Sequence, residues 1–516
     1  MTENVFTYEK ATQLYSSGSF PESLECLDFL IENNSSSADY WHLRAIVKLS
    51  LCDFQNAYQD VSRAIQLESN HSGFYNTCGL ILEKLNQQQE ALNCFEKASQ
   101  LNPNDDVSLN NLGIVSHLIG MLLESTRCFE KAVALQPKNV DYLRNYGAVL
   151  QEIGRPEESV QACIKALAIR PSYAEVLSNL SFSLQQTGRI SEGLDAANKA
   201  LALQPDAVGA RWHRALALLT LGEFAEGFKD YECRIHHPAL QKMIRKFTGA
   251  QAEWNGEVYK DLRLHVFSEQ GLGDAIQFVR YLQILTDFGV RVCFEVQQEL
   301  IELFLPLQGI QFIPLGTTPP EFDSYVSNMS LPFKFKTTIE TIPSRTPYLT
   351  APKHCFDIPY NSDKPFKIGL VWAGNSSHSA NIHRSVSARD MSIFSTLEKV
   401  SLYNFQMNAS PECLGYFGSG ISDLTPHFKN FSHTAYAVSQ MHLIITVDTA
   451  IAHLAGALGI PCWVALSKAV DWRWQNTGES SHWYSSLKLF RQKNLGNWQP
   501  VFEEMYAHLK SFSHSN

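Results

Sequence analysis

Two segments carry residues whose types and spacing suit anion chemistry. Ser268 to Tyr281 reads SEQGLGDAIQFVRY. Gly271 and Gly273 allow a backbone to turn sharply and approach a ligand, and the helix that follows offers free N–H groups to an anion. Asp274 is also a favoured type for capping that helix. The string lacks the third glycine of a dinucleotide fingerprint and the lysine of a P-loop, so it supports neither a nicotinamide nor an ATP site. Leu443 to Leu466 reads LIITVDTAIAHLAGALGIPCWVAL. Here a strand of branched residues ends at Val447, Asp448 can cap, Thr449 presents a hydroxyl, and a helix runs from Ala450 to Leu458 before Gly459 stops it. A diphosphate placed at this helix start would meet backbone N–H groups, the Thr449 hydroxyl and the positive end of the dipole. An ordinary capped strand-to-helix turn has the same pattern.

A third group of polar residues recurs by period. Asn111, Asn145 and Asn179 are spaced by 34 in the strings NNLG, RNYG and SNLS, with Thr77 and His213 on the neighbouring rungs. Regularly spaced amides can bond both the N–H and the C=O of an extended peptide whatever its sequence. They can equally satisfy backbone groups between helices.

The elements that must position these residues differ between the two parts of the chain. Pro103, Pro137, Pro171 and Pro205 share the period of 34 with Gly120, Gly154, Gly188 and Gly222 and with Ala98, Ala132, Ala166 and Ala200. Small residues at 45, 79, 113, 147, 181 and 215 extend the frame. Each unit reads as two amphipathic helices broken by a Gly. A single hairpin cannot bury its apolar face, so the units are expected to stack into a superhelix with a concave groove. The array resembles the tetratricopeptide repeat, about seven units over residues 1–235. Residues 236–260 read as an irregular basic linker. From Asp261 short apolar runs alternate with helical stretches (LRLHVF, RVCFEV, IQFIP, FDSYVS), and a second series begins at KIGLVWAG and continues through YNFQM, LIITV and PCWVAL. Strand, helix, strand predicts parallel sheets, one over 261–360 and one over 361–516 with a C-terminal helix.

GLGDAIQF, KIGLVWAGN and VDTAIAHLAGALGIP in that order resemble the glycosyltransferases of the heptosyltransferase type. With the repeats in front, and with the tail from Asp471 to Trp498, the whole resembles bacterial repeat-glycosyltransferase proteins. The resemblance implies an N-terminal all-α tetratricopeptide solenoid followed by a GT-B fold of two Rossmann-like halves, an α + α/β chain. It further implies an inverting enzyme with a nucleotide-sugar donor, no cofactor and no required metal. On it, Asp274 falls at the carboxylate proposed as catalytic base. Asp448, Thr449, Ala450 and His453 fall beside the donor diphosphate together with Gly271 and Gly273, and Asn375, Arg384 and Gln406 fall in the donor pocket. The series Asn111, Asn145 and Asn179 resembles the asparagine ladder of protein O-GlcNAc transferases, which implies a protein or peptide acceptor. The chain departs from the pattern at Met407 and at His433. A non-catalytic repeat adaptor with a nucleotide-sugar-sensing or purely structural second part is the alternative.

Composition narrows the partners. With 42 Lys plus Arg against 52 Asp plus Glu and a formal charge of −10, no overall basic field collects nucleic acid. The 11 cysteines include no CxxC pair, which fits neither a disulfide framework nor a zinc site and points to a reducing cytoplasm. The N-terminus lacks the basic cap and apolar core of a secretory signal. Thr449 to Ser467 is uncharged for about the length of a membrane span, but His453, Gly456, Gly459 and Pro461 interrupt it, so no membrane span is expected. Trp463, Trp472, Trp474 and Trp483 could stack on a sugar or base but are expected to be buried at the domain junction, and His378 and His383 have no third ligand with which to hold a metal.

Overall fold

The computed structural model describes residues 6–238, 241, 251–374 and 381–513. Two compact units divide the chain, Met1–Asn179 and Leu180–Asn516. The first is helical throughout, with hairpins of Tyr8–Ser16 and Phe20–Asn33, Ala38–Ser50 and Phe54–Leu67, Ser72–Lys84 and Gln88–Leu101, Asp106–Leu118 and Leu122–Leu135, and Val140–Glu152 and Pro156–Ile169. The turn between the two helices of a hairpin needs one left-handed residue. Gly120 and Gly154 supply it with φ of 82° and 76°, and Cys52 and Asn86 take the same conformation at the same place in earlier repeats. Small residues in the first helix admit the second. A Cβ added at Gly79 or Gly113 would lie 2.6 or 2.7 Å from the ring of Phe95 or Phe129.

Paired helices continue in the second unit with Val208–Thr220 and Phe224–Tyr231. This last hairpin does not end in solvent. Phe224, Phe228 and Tyr231 lie in one core with Trp472 and Trp483, and the rings of Phe228 and Trp472 meet edge to face with centroids 5.6 Å apart. The last repeat helix ends at Tyr231, and its aromatic outer face is buried in this core. Described residues within the expected linker 236–260 include an ordered strand. Ala252–Glu253 forms strand β1, and Trp254 is buried in the core.

Two parallel sheets follow. In the first, β1 lies at the edge beside β5 (Ser324–Ser327), followed by β2 (Arg263–Phe267), β3 (Arg291–Val296) and β4 (Ile310–Pro314). The second runs β11 (Leu487–Arg491), β10 (Cys462–Leu466), β9 (Leu443–Val447), β6 (Phe366–Val371), β7 (Val400–Asn404) and β8 (Ile421–Asp423). Numbered within its half, the second sheet has the order 3-2-1-4-5-6 of doubly wound nucleotide-binding folds, whose ligand crevice opens where the order reverses. That point lies beyond the carboxyl ends of β6 and β9. In the first sheet the corresponding point lies beyond β2 and β5. The helix Gln499–Ser513 covers the second sheet through Val501, Phe502 and Met505.

Candidate functional site

Both glycine-bearing segments begin at these switch points. After β2 the chain passes through Gln270, whose φ of +71° makes it the left-handed residue of the turn, and enters the helix Leu272–Phe278. Gly271 caps that helix with an extended φ of −90°, so the sharp turn expected of it is made one residue earlier. Asp274 closes the cap, its Oδ2 accepting from the Gly271 N–H at 2.8 Å. Gly273 serves close approach, but to protein: an added Cβ would lie 2.9 Å from His453 Cδ2 and 3.5 Å from the Ala450 Cα. The helix starts of the two α/β halves thus touch.

In the second half Thr449, not Asp448, caps the helix Ala450–Leu458. Its Oγ1 accepts from the Ile451 N–H at 3.3 Å and lies 2.9 Å from the Thr446 hydroxyl. Freed from capping, Asp448 points elsewhere. Its Oδ1 accepts the Trp474 indole N–H at 2.9 Å, and its Oδ2 stands 4.0 Å from Arg384. Burial, with Asp471 nearby, pushes the Asp448 carboxyl up to about 6. His453 is buried, bonded through Nδ1 to the Tyr484 hydroxyl at 2.9 Å and stacked on Trp474. Burial and the positive Arg473 push its imidazole down to about 3, so it is neutral.

Arg473 joins the halves. Its guanidinium donates to Asp471 at 2.9 Å, to Gln277 Oε1 at 2.9 Å and to Asp274 Oδ1, and it stacks on Trp472. Burial raises the Asp274 carboxyl, an effect that the Arg473 charge opposes. The turn carrying Arg473 is itself held by Arg491, which donates to the carbonyls of Trp474, Gln475 and Gly478. Neither Arg473 nor Asp471 stands out by spacing in the sequence. The available signal was an arginine between two tryptophans in DWRWQ, since a guanidinium among buried aromatics requires carboxylates beside it.

The remaining predicted donor residues divide. Gln406 accepts from the Trp372 and Ala373 N–H groups at 3.1 and 2.7 Å, so its amide oxygen pins the loop after β6. Arg384 presses on Gly374, where an added Cβ would lie 2.9 Å from its guanidinium, and its Nε has no hydrogen-bond partner among the described residues. Asn375 lies outside the described residues, as does His378. Among the described residues no group of three or more His, Cys, Asp or Glu could hold a metal ion. Nor is any helix among them long and apolar enough to cross a membrane.

Asn111 and Asn145 of the amide series bond to asparagines of the preceding hairpin. The Asn111 side chain donates to Asn76 Oδ1 at 3.0 Å and that of Asn145 to Asn110 Oδ1 at 2.9 Å, while Arg144 donates to Asn145 Oδ1 at 3.1 Å. The backbone carbonyl of Asn179 accepts from Gln151 at 2.7 Å. Asn111 and Asn145 are half-buried, each with one amide proton not used in these bonds. Asn76 and Asn110 belong to the same network; they too are spaced by 34, one residue before the frame of Asn111 and Asn145, so the bonded pairs are 35 apart.

Family models of the tetratricopeptide repeat match residues 72–105, 128–161 and 183–232. Such repeats run across this part of the chain. Protein FlbA of Caulobacter vibrioides is 27% identical over 338 residues, which are 58% of this chain and 55% of FlbA. The chain thus spans about half the length of that curated relative. Among solved structures, YrrB, described as a TPR protein with an unusual peptide-binding site, is 21% identical, with 36% of this chain and 96% of YrrB covered at a TM-score of 0.34. Pseudomonas aeruginosa pilF is 18% identical, with 40% and 94% covered at a TM-score of 0.37.

Proposed function

We propose that the chain is an inverting, metal-independent glycosyltransferase of GT-B type, which moves a sugar from a nucleotide-sugar to a hydroxyl of a protein held by its repeats. The observation that carries the reading is the meeting of Asp274 and the Ala450–Leu458 helix start at the carboxyl ends of two parallel sheets, with Gly273 against His453. In this reading Asp274 takes the proton of the acceptor hydroxyl as it attacks the anomeric carbon. Arg384 and the first-turn amides after Thr449 stabilise the departing diphosphate. Arg473 must release Asp274 Oδ1 or leave a lone pair free for the proton. The repeats contribute by tethering: an acceptor bound anywhere on the same chain is held at a raised effective concentration.

A repeat adaptor without catalysis is the second reading, and one observation favours it: both oxygens of Asp274 are engaged, by the Gly271 N–H and by Arg473. A panel of nucleotide-sugars separates the two. A donor present at a hundred times its dissociation constant adds about 2.7 kcal/mol of stability. If one donor stabilises the protein, Asp274→Asn is expected to abolish sugar transfer while leaving that stabilisation in place. Transfer by the Asn variant at the wild-type rate removes Asp274 as the base, and silence from every donor favours the adaptor.

A further inference from the structure

One position of the repeat frame joins the two helices of a hairpin by side chains 16 residues apart. In the second hairpin Arg44 donates to Asp60 at 2.9 and 2.7 Å. In the last, Arg214 donates to Asp230 at 2.5 and 3.0 Å. The same position in the third hairpin holds Cys78 and Cys94, with sulfurs 3.5 Å apart in a thiol–thiol hydrogen bond. In the fourth it holds Leu112 and Cys128.

The frame therefore aims the two thiols at each other, and the neighbouring residues bring their helices close. Gly79 follows Cys78 and Phe95 follows Cys94, and a Cβ on Gly79 would be 2.6 Å from the Phe95 ring. Cys78 is buried and Cys94 half-buried, so a small reagent reaches the pair through Cys94. We propose that Cys78 and Cys94 form a peroxide-reactive dithiol that closes reversibly to a disulfide within the third repeat hairpin. In the dithiol Cys94 donates to Cys78. Once Cys94 is ionised the Cys78 S–H can turn to donate to its thiolate, which lowers the Cys94 pKa against the opposing effect of burial, while the same bond and burial raise Cys78. Cys94 is then the attacking sulfur.

The chemistry balances in two steps. The Cys94 thiolate attacks one oxygen of hydrogen peroxide, breaking the O–O bond, and hydroxide leaves to give the sulfenic acid. The Cys78 sulfur then attacks the Cys94 sulfur and expels hydroxide, which takes the Cys78 proton as water. Two thiols are oxidised, one peroxide is reduced, and two waters form. Closure from 3.5 Å to a bond of about 2 Å requires the two side chains to rotate and their backbones to approach within the usual disulfide range.

The test uses the full chain. After brief exposure to hydrogen peroxide, free thiols are alkylated in denaturant and the digest is mapped. The expected result is a linked peptide pair containing Cys78 and Cys94, the loss of two alkylation sites, and their return with dithiothreitol. Cys128, with Leu112 in place of a partner thiol, is expected to stay alkylatable. The link is expected to vanish in Cys94→Ser and to persist in Cys52→Ser, which removes an exposed cysteine. Full alkylation of Cys78 after peroxide treatment overturns the proposal, as does Cys94 oxidised to sulfinic acid with Cys78 still reduced.

Discussion

The guanidinium of Arg473, carried by the second α/β half, is ion-paired with Asp274 of the first. It also holds Asp471, and its side chain is only 8% exposed. Two carboxylates thus depend on one buried cation. Removing one partner of such a group leaves uncompensated charge, at a cost of about 3–5 kcal/mol. Arg473→Met is expected to lose stability on that scale in urea denaturation. Adding Asp274→Asn should return part of it, because one stranded charge is gone and the Asn oxygen can still accept from the Gly271 N–H. A double variant no more stable than Arg473→Met would show that Asp274 is not the group the arginine neutralises.

Asp448 provides a pH signature. Its carboxyl lies at about 6 in the folded chain, above the usual value of about 3.9. The folded state therefore binds more protons than the unfolded state between about pH 4 and 6, and this group's contribution to stability falls as pH rises through that window. Asp448→Asn keeps an acceptor for the Trp474 indole and removes the titration. Relative to wild type, the variant is expected to gain stability progressively from pH 4 to 7, by roughly 1–3 kcal/mol at the upper end. Thermal melts of both proteins across that range check it, and a constant difference between them refutes it.

Much of this architecture could be read from the sequence, because the repeat writes its packing rule seven times over. Gly120 and Gly154 mark the left-handed turns, and Gly79 and Gly113 the close helix contacts, at a fixed spacing. Strands β2 and β9 were legible as branched apolar runs. β7 lies three residues before the run YNFQM suggested, since Gln406 sits in the loop after β7, from which it pins the loop after β6. β1, β8 and β11 were missed, the first two because strands of two and three residues carry no pattern. The site was legible only in its helix starts. Where Asp448 and Gln406 point depends on Trp474 and on the Trp372 backbone, which are distant in sequence, and Arg473 became part of the site only through tertiary contacts.

The repeat glycines offer a matched pair. Gly113 faces Phe129, whereas Gly147 at the same repeat position faces Cys163, whose sulfur would lie 3.4 Å from an added Cβ against 2.7 Å for the ring. Alanine is favoured over glycine in a helix interior by about 1 kcal/mol. Gly147→Ala is expected to be neutral or stabilising by up to about that amount, while Gly113→Ala is expected to cost about 1–3 kcal/mol through overpacking. Equal effects of the two changes in chemical denaturation would remove the ring contact as the reason for glycine.

Gly273 and His453 provide the last test, because they meet where the two α/β halves touch. A methyl group at 273 would lie 2.9 Å from His453 Cδ2, and His453 cannot retreat easily, being bonded to Tyr484 and stacked on Trp474. Gly273→Ala is expected to cost about 1–3 kcal/mol by overpacking. His453→Ala is expected to cost a similar amount by leaving a cavity and removing one hydrogen-bond partner of the buried Tyr484 hydroxyl. The double variant places the methyl group in the space the imidazole leaves, so it should be more stable than the sum of the two changes predicts, with a coupling of at least about 0.5 kcal/mol. The same substitution pair separates packing from ligand approach: if Gly273 serves only to admit a ligand, the two changes add, and removing His453 does nothing to relieve the alanine.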